Sequence, residues 1–244
     1  MVIAVSNETA RTQSAALVQA GVIPAYRIEY IGAKPDRGGA GRPQAFTVEM
    51  SPNKKVGAHY HTVSQYQVIL RGGGHIGSHP VSTYSVHYTD PYTTYGPLVA
   101  GPDALHYMTL RAAGDPGPQY LAKPGVKEAI RPSRRRFLLS TDIRSSTPDE
   151  AAALTSPHID VLLEPNDDGV ASTLYRLGPN MTVRGPDPSL GGGHYFMVIG
   201  GALEYDGERL DIDSTLFVEA DDPALTLHAG GAGADVLFLQ FPKS

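Results

Sequence analysis

No cysteine occurs among the 244 residues. Disulfides and thiolate ligands are therefore excluded, and any metal must be held by nitrogen and oxygen. No apolar run approaches the length of a membrane-spanning helix. The opening residues, Met1 to Glu8, carry neither the basic segment nor the apolar stretch of a secretory signal, so a cytoplasmic protein is expected. Charge of one sign is also scarce. The formal net charge of −5 is too weak to favour nucleic acid or an anionic membrane as partner, and no helix-turn-helix pattern is evident. What the chain does have is glycine and proline, 27 and 20 residues, set between short apolar runs. That is the pattern of many strands joined by turns, in a chain long enough to bury one large core or two small ones.

Two histidines, His59 and His61, stand at i and i+2 between strand-like segments, with Gln65 close behind and His106 far downstream. On a strand, residues two apart project from one face, so both imidazoles can enter one cavity. Ala45 to Met50 alternates before the pair, Tyr66 to Leu70 follows it, and Gly72-Gly73-Gly74 forces a turn. The segment from Pro102 to Leu110 reads as a turn leading into a strand that can return His106 to the same interior.

The order His59, His61, Gln65, Gly72 resembles the first sequence motif of the cupin superfamily, with Gln65 where Glu is usual. Gly101-Pro102 and His106 loosely resemble the second motif. The resemblance implies an all-β chain of jelly-roll barrels and a metal held by His59, His61 and His106. For Gln65 three roles stay open: a ligand, a hydrogen-bond partner of metal-bound water or substrate, or an interior spacer. The implied cofactor is one divalent transition metal, iron first, then zinc, manganese or nickel. Three ligands plus open positions make a catalytic rather than a structural site.

The second half looks like a worn copy of the first. Gln65 to Gly72 can be laid against His194 to Gly201, which sets His194 opposite Gln65 and puts Pro188 and Leu190 where His59 and His61 stand. Pro223 and His228 resemble Pro102 and His106. Such self-similarity suggests duplication, and with the resemblance it implies two tandem cupin barrels with short helices at the N-terminus and in the linker. The expected division is an N-terminal helical segment over 1–24, a first barrel with the metal site over 25–122, a linker over 123–157 and a second, degenerate barrel over 158–244. In the first segment Ser6 to Gln19 reads as a helix closed by Gly21. In the linker Thr147 caps a short helix, with Pro148 at its first position and Glu150 completing a capping box. Gly191-Gly192-Gly193 precedes a strand and so is no phosphate loop.

Alternation from the histidines turns Gln67, Ile69 and Met108 inward as pocket candidates and sends Tyr60, Tyr66 and Tyr107 to the other face. Tyr92 and Tyr95, on a loop rich in turn residues, are candidates for the pocket rim. His75, His79 and His87 are expected in solvated or capping roles, and Arg134-Arg135-Arg136 on a solvated linker face. The expected partner is a small oxygen-rich molecule; a homodimer is compatible with this reading. Two function classes remain: a metal-dependent enzyme, foremost a dioxygenase-type oxidoreductase and otherwise a zinc or manganese isomerase, cyclase or lyase, or a non-catalytic small-molecule-binding protein.

Overall fold

The computed structural model describes residues 2–14, 16–20, 23–32 and 42–243. The chain is all-β with two short helices, Asn7–Ser14 and Pro148–Ala153, and forms two compact units. One is built from Gln13–Ile143, the other from Met1–Thr12 together with Arg144–Ser244. Among the described residues no helix is long and apolar enough to cross a membrane.

In the Gln13–Ile143 unit the sheet runs Phe137–Ser140, Val86–Thr89, Gln65–Ile76, Leu98–Arg111, Gln44–Met50, Ile23–Ile31 and Ala16–Ala20, each strand antiparallel to the next. The other unit repeats the plan with Ile3–Val5, Thr215–Val218, His194–Tyr205, Thr226–Gln240, Ala171–Leu177 and His158–Leu163. The expected jelly-roll architecture is thus observed.

The registers repeat as well. Gln65 pairs with Thr89 as His194 pairs with Val218, and Tyr66 pairs with Leu110 as Tyr195 pairs with Leu239. The long strands bulge at the same place, between His106 and Tyr107 in one unit and between Val198 and Gly200 in the other. Gly72 and Gly201, at matching positions, adopt φ values of 73° and 60°. A Cβ at either would run into a facing carbonyl, of Ala104 or Gly233, so glycine is required there. The alignment of Gln65 with His194 therefore agrees with the hydrogen-bond ladder. The pairing of His228 with His106 does not. The ladder sets Asp235, opposite Gly200, where His106 lies opposite Arg71, and His228 is exposed beside Thr182.

Three expectations about boundaries meet a different arrangement. The N-terminal helix stops at Ser14, and Ala16–Ala20 pairs with Ile23–Ile31 instead of extending it; Gly21 lies outside the described residues. Ile3–Val5 precedes the helix as an edge strand on Thr215–Val218. Three residues are too few to show a period in sequence. Within the supposed linker, Phe137–Ser140 is a strand of the first sheet. Arg136 just before it is bound to Asp90, with Nη2 2.8 Å from Oδ1, so that arginine is not on a solvated face. The capping box is as expected: Thr147 accepts from the Glu150 amide, and the Glu150 carboxylate accepts from the Thr147 amide at 2.8 Å.

Candidate functional site

The interior of the first barrel holds a cavity of about 300 Å³. Its walls include Phe46, Val48, Val56, Tyr107 and Tyr120, and its polar surface includes His59, His61, Gln67, Tyr95, Thr109, Arg111 and Asp115. His59 lies in the short strand His59–Tyr60 and His61 just beyond it. Both are buried, and their rings meet edge to face at 5.3 Å between centroids. The two-residue spacing thus delivers both imidazoles to one cavity, as expected.

Their tautomers are set by their partners. His59 Nδ1 is 2.7 Å from the Gly57 carbonyl oxygen, which can only accept, so Nδ1 carries the proton. His59 Nε2 then accepts from the Tyr95 hydroxyl at 2.9 Å. That hydroxyl in turn accepts from Gln65 Nε2 at 2.6 Å. Gln65 Oε1 accepts from Arg111 Nη2 at 2.8 Å and Nε at 3.1 Å. Arginine has only donors, which fixes the amide orientation. A continuous chain of donors and acceptors therefore runs from the Arg111 guanidinium to the Gly57 carbonyl.

His61 belongs to a second chain. Its Nδ1 donates to Asp115 Oδ1 at 2.7 Å, which leaves Nε2 as the acceptor, 3.3 Å from Arg111 Nη2. The Asp115 carboxylate also accepts from the Gly117 amide at 2.7 Å and from the Thr62 amide and hydroxyl, each at 3.0 Å. Arg111 is 3% exposed. Besides Gln65 it donates to Gln44 Oε1 at 3.0 Å, and its Nη1 lies 3.6 Å from Asp115 Oδ1.

Burial governs the protonation states. It lowers His59 to about 4, with Arg111 adding to the effect and the Gly57 carbonyl opposing it. Burial and then Arg111 lower His61 to about 3 against the pull of Asp115. Burial pushes Tyr95 upward, so it stays a phenol. Burial alone would raise Asp115, but the His61 hydrogen bond, Arg111 and the Thr62 amide outweigh it and hold the carboxyl far below its usual range. Around the two histidines, at neutral pH, the cavity thus sets two neutral imidazoles beside the Tyr95 phenol, the Asp115 carboxylate and the Arg111 guanidinium; the Arg27–Glu29 pair also lines it.

The site brings together His59, His61, Gln65, Gln67 and Tyr95, but not all the expected residues. His106 faces the other way. On Leu98–Arg111 it is Tyr107, Thr109 and Arg111 that line the cavity, so alternation turns His106 and Met108 to the opposite face. This reverses the expectation for His106, Met108 and Tyr107. The inward phase cannot be carried across from the histidine strand by counting, because it is set by pairing and a bulge. Ile69 does turn inward but belongs to the apolar core behind the cavity walls Phe46 and Tyr107 and does not itself line the cavity. Tyr92 stacks on Tyr60 at 5.6 Å and does not line the cavity. His87 is buried rather than solvated, with Nδ1 3.1 Å from Gln67 Oε1 and its ring 5.3 Å from that of Tyr95.

Arg111 and Asp115 were not anticipated. The available signal was a charged residue in phase with Tyr107 and Thr109 on a strand.

No protein-family model matches the chain, and no curated protein sequence does. Solved structures match in fold. A putative dioxygenase from Nostoc punctiforme superposes with a TM-score of 0.59 at 12% identity, covering 100% of this chain and 79% of that one. A bacterial pirin from Escherichia coli, in complex with nickel(II), gives 0.55 at 14% identity with both chains covered fully. Oxalate decarboxylase from Bacillus subtilis gives 0.59 at 11% identity, covering 95% and 75%. The chain shares their fold. At such identities the likeness says nothing about chemistry.

The donor set of this cavity does not fit a divalent metal ion. Among the described residues no group of three or more His, Asp or Glu side chains could hold one. The third side chain to reach His59 is a phenol, and the oxygen of Gln65 is bound to a fixed cation.

Proposed function

We propose that the chain is a bicupin whose first barrel binds a small, oxygen-rich organic molecule without a metal, Arg111 supplying the fixed positive charge. The observation that carries this reading is the buried guanidinium at the end of the cavity, hydrogen-bonded to Gln65 and facing His61 Nε2. A volume of about 300 Å³ lies at the small end of ligand pockets and suits a molecule of about one ring. Phe46, Tyr107 and Tyr120 offer apolar faces for its body. Gln67, Thr109 and His61 offer polar atoms for its carbonyl or hydroxyl oxygens.

The charges balance within the site, Arg111 against Asp115 and Arg27 against Glu29. A neutral or singly charged ligand therefore suits it better than a polyanion. The Asp115–His61 pair serves orientation rather than proton abstraction: the carboxylate fixes the imidazole with Nε2 as an acceptor, and a ring lowered to about 3 is a weak base at neutral pH. Dioxygenation, the first expectation, needs a redox centre that these side chains do not build.

The test is a calorimetric and thermal-shift screen of hydroxylated aromatics, keto acids and small sugars on chelator-treated protein, run beside an oxygen-uptake assay. The expected result is a ligand that binds equally well after chelation and loses affinity in His61→Ala. Oxygen uptake that chelation abolishes and iron restores would overturn the proposal in favour of the dioxygenase.

A further inference from the structure

We infer that Arg111 is the resident cation of the first barrel, holding the place a divalent ion would need and so keeping metal out. Half of a metal site is otherwise built. His59 and His61 each donate from Nδ1 to an oxygen, of Gly57 and Asp115, which leaves each Nε2 as an acceptor, that of His59 already engaged by the Tyr95 hydroxyl at 2.9 Å. Such Nδ1 bonds are how metal-ligating imidazoles are oriented by their outer partners.

The remaining donors are taken by the guanidinium. Gln65 has one oxygen, and Arg111 binds it through both Nη2 and Nε. The same Nη2 lies beside the His61 ring, 3.1 Å from Nδ1 and 3.3 Å from Nε2, so one cationic nitrogen stands against both the amide oxygen and the imidazole that an ion would need. Arg111 has no room to swing aside at low cost. Its Nη1 is held by Gln44 Oε1, which also accepts from the Asp115 amide at 3.1 Å, and Asp115 Oδ1 lies 3.6 Å away. A divalent ion on His61 Nε2 would sit within a few ångströms of a buried like charge, where repulsion is far stronger than in water.

The second barrel does not compensate. Gln240 takes the place of Arg111 in the ladder, opposite His194, and Pro188 and Leu190 lie in the short turn preceding that strand, where the first barrel has its two histidines. The inference is independent of which organic molecule binds, and the measurement is one of metal alone.

Equilibrium dialysis against Ni(II) and Zn(II), read by elemental analysis, is run on wild type, Arg111→His, Arg111→Gln and Arg111→Lys, each checked for folding by circular dichroism. Wild type and Arg111→Lys are expected to show no site that depends on His61. Arg111→His is expected to gain one ion per chain, bound at least about a hundredfold more tightly than by wild type, since a like charge is replaced by a donor. The gain should vanish when His61→Ala is added. Arg111→Gln removes the charge while keeping a polar group toward Gln44, and should show a smaller gain if Arg111→His fails to fold. A wild-type protein that takes up one ion per chain and loses it in His61→Ala would overturn the inference. So would the absence of any gain in folded Arg111→His or Arg111→Gln.

Discussion

Asp115→Asn tests the electrostatic frame of the cavity most directly. Every group that touches the carboxylate oxygens is a donor: His61 Nδ1 and the Gly117 amide on Oδ1, the Thr62 amide and hydroxyl on Oδ2. An asparagine NH₂ would therefore meet donors whichever way the amide turned. The substitution also leaves the buried Arg111 charge without its counter-charge at 3.6 Å. Breaking a buried pair by removing one partner costs about 3–5 kcal/mol, the loss expected for the first unit at pH 7.

The pH dependence has a definite sign. The Asp115 carboxyl is depressed in the folded protein, against roughly 3.9 when unfolded. Its contribution is fully present above about pH 4 and is lost as pH falls toward the folded value. The gap between wild type and variant should therefore narrow by about 1 kcal/mol at pH 3. Hydrogen exchange along Leu98–Arg111 reports the first unit, and Thr226–Gln240 serves as the control that should not change. A gap below about 1 kcal/mol at pH 7, or one that widens in acid, would refute the reasoning.

Tyr95→Phe removes the hydroxyl between His59 Nε2 and Gln65 Nε2 and strands two buried polar groups. A loss of about 2–4 kcal/mol in urea unfolding of the first unit is expected, and a neutral outcome would mean that water replaces the hydroxyl. The first unit should also be acid-sensitive, because burial lowers His59 to about 4 and His61 and His87 to about 3. Folded values below the unfolded 6.5 mean that stability is whole above about pH 6.5 and falls by roughly 1.4 kcal/mol per pH unit per histidine below it. Melting curves from pH 7 to 5 that stay level would contradict this. In the second unit neither ring nitrogen of His194 has a hydrogen-bond partner among the described residues. His194→Leu should leave its stability unchanged or raise it by about 1–2 kcal/mol, as read by hydrogen exchange along His194–Tyr205. A clear loss would show that the imidazole has a role in packing.

The fold was legible because its signals are local and repeat. Strand periodicity and the matched segments from Gln65 and His194 survive as observed elements with equal registers, whereas Gly72-Gly73-Gly74, expected to force a turn, lies inside the strand Gln65–Ile76 and the turn comes at Gly77-Ser78. The capping box at Thr147 is a four-residue rule and held. Half of the site was legible for the same reason, since two residues on one short strand fix their own relative direction. The other half depends on which face of Leu98–Arg111 turns inward, a property of pairing with Gln44–Met50 and Gln65–Ile76. Sequence offers no local sign of that phase. A histidine at position 106 drew attention, while the inward Arg111, five residues on, resembled an ordinary strand end. Tyr95 was identified as a rim residue yet reaches His59 at 4.6 Å between ring centroids, a contact no short-range pattern encodes.

One row of side chains sets the interior of the first barrel apart from that of the second. Gln67 is paired with His87 on one side and Thr109 on the other, and cross-strand neighbours share a face. The equivalent row in the second barrel is Phe196, paired with Leu216 and Phe238. Three polar side chains in one interior are thus answered by three apolar ones in the other, and the Phe196 and Phe238 rings lie 5.6 Å apart within a closed core that also holds Val198 and Val236. An apolar row gains burial free energy and asks for no partners. A polar row in the same place must be satisfied member by member. In the first barrel Gln67 Oε1 and His87 Nδ1 meet at 3.1 Å, while His87 Nε2 has no hydrogen-bond partner among the described residues. In the second barrel His194 persists without such partners: its ring lies 4.9 and 4.8 Å from those of Phe196 and Phe238, and burial lowers it to about 4. The polar interior of the first barrel is costly to maintain and adds nothing that an apolar core would not supply to stability, which is the reason to assign binding to that cavity.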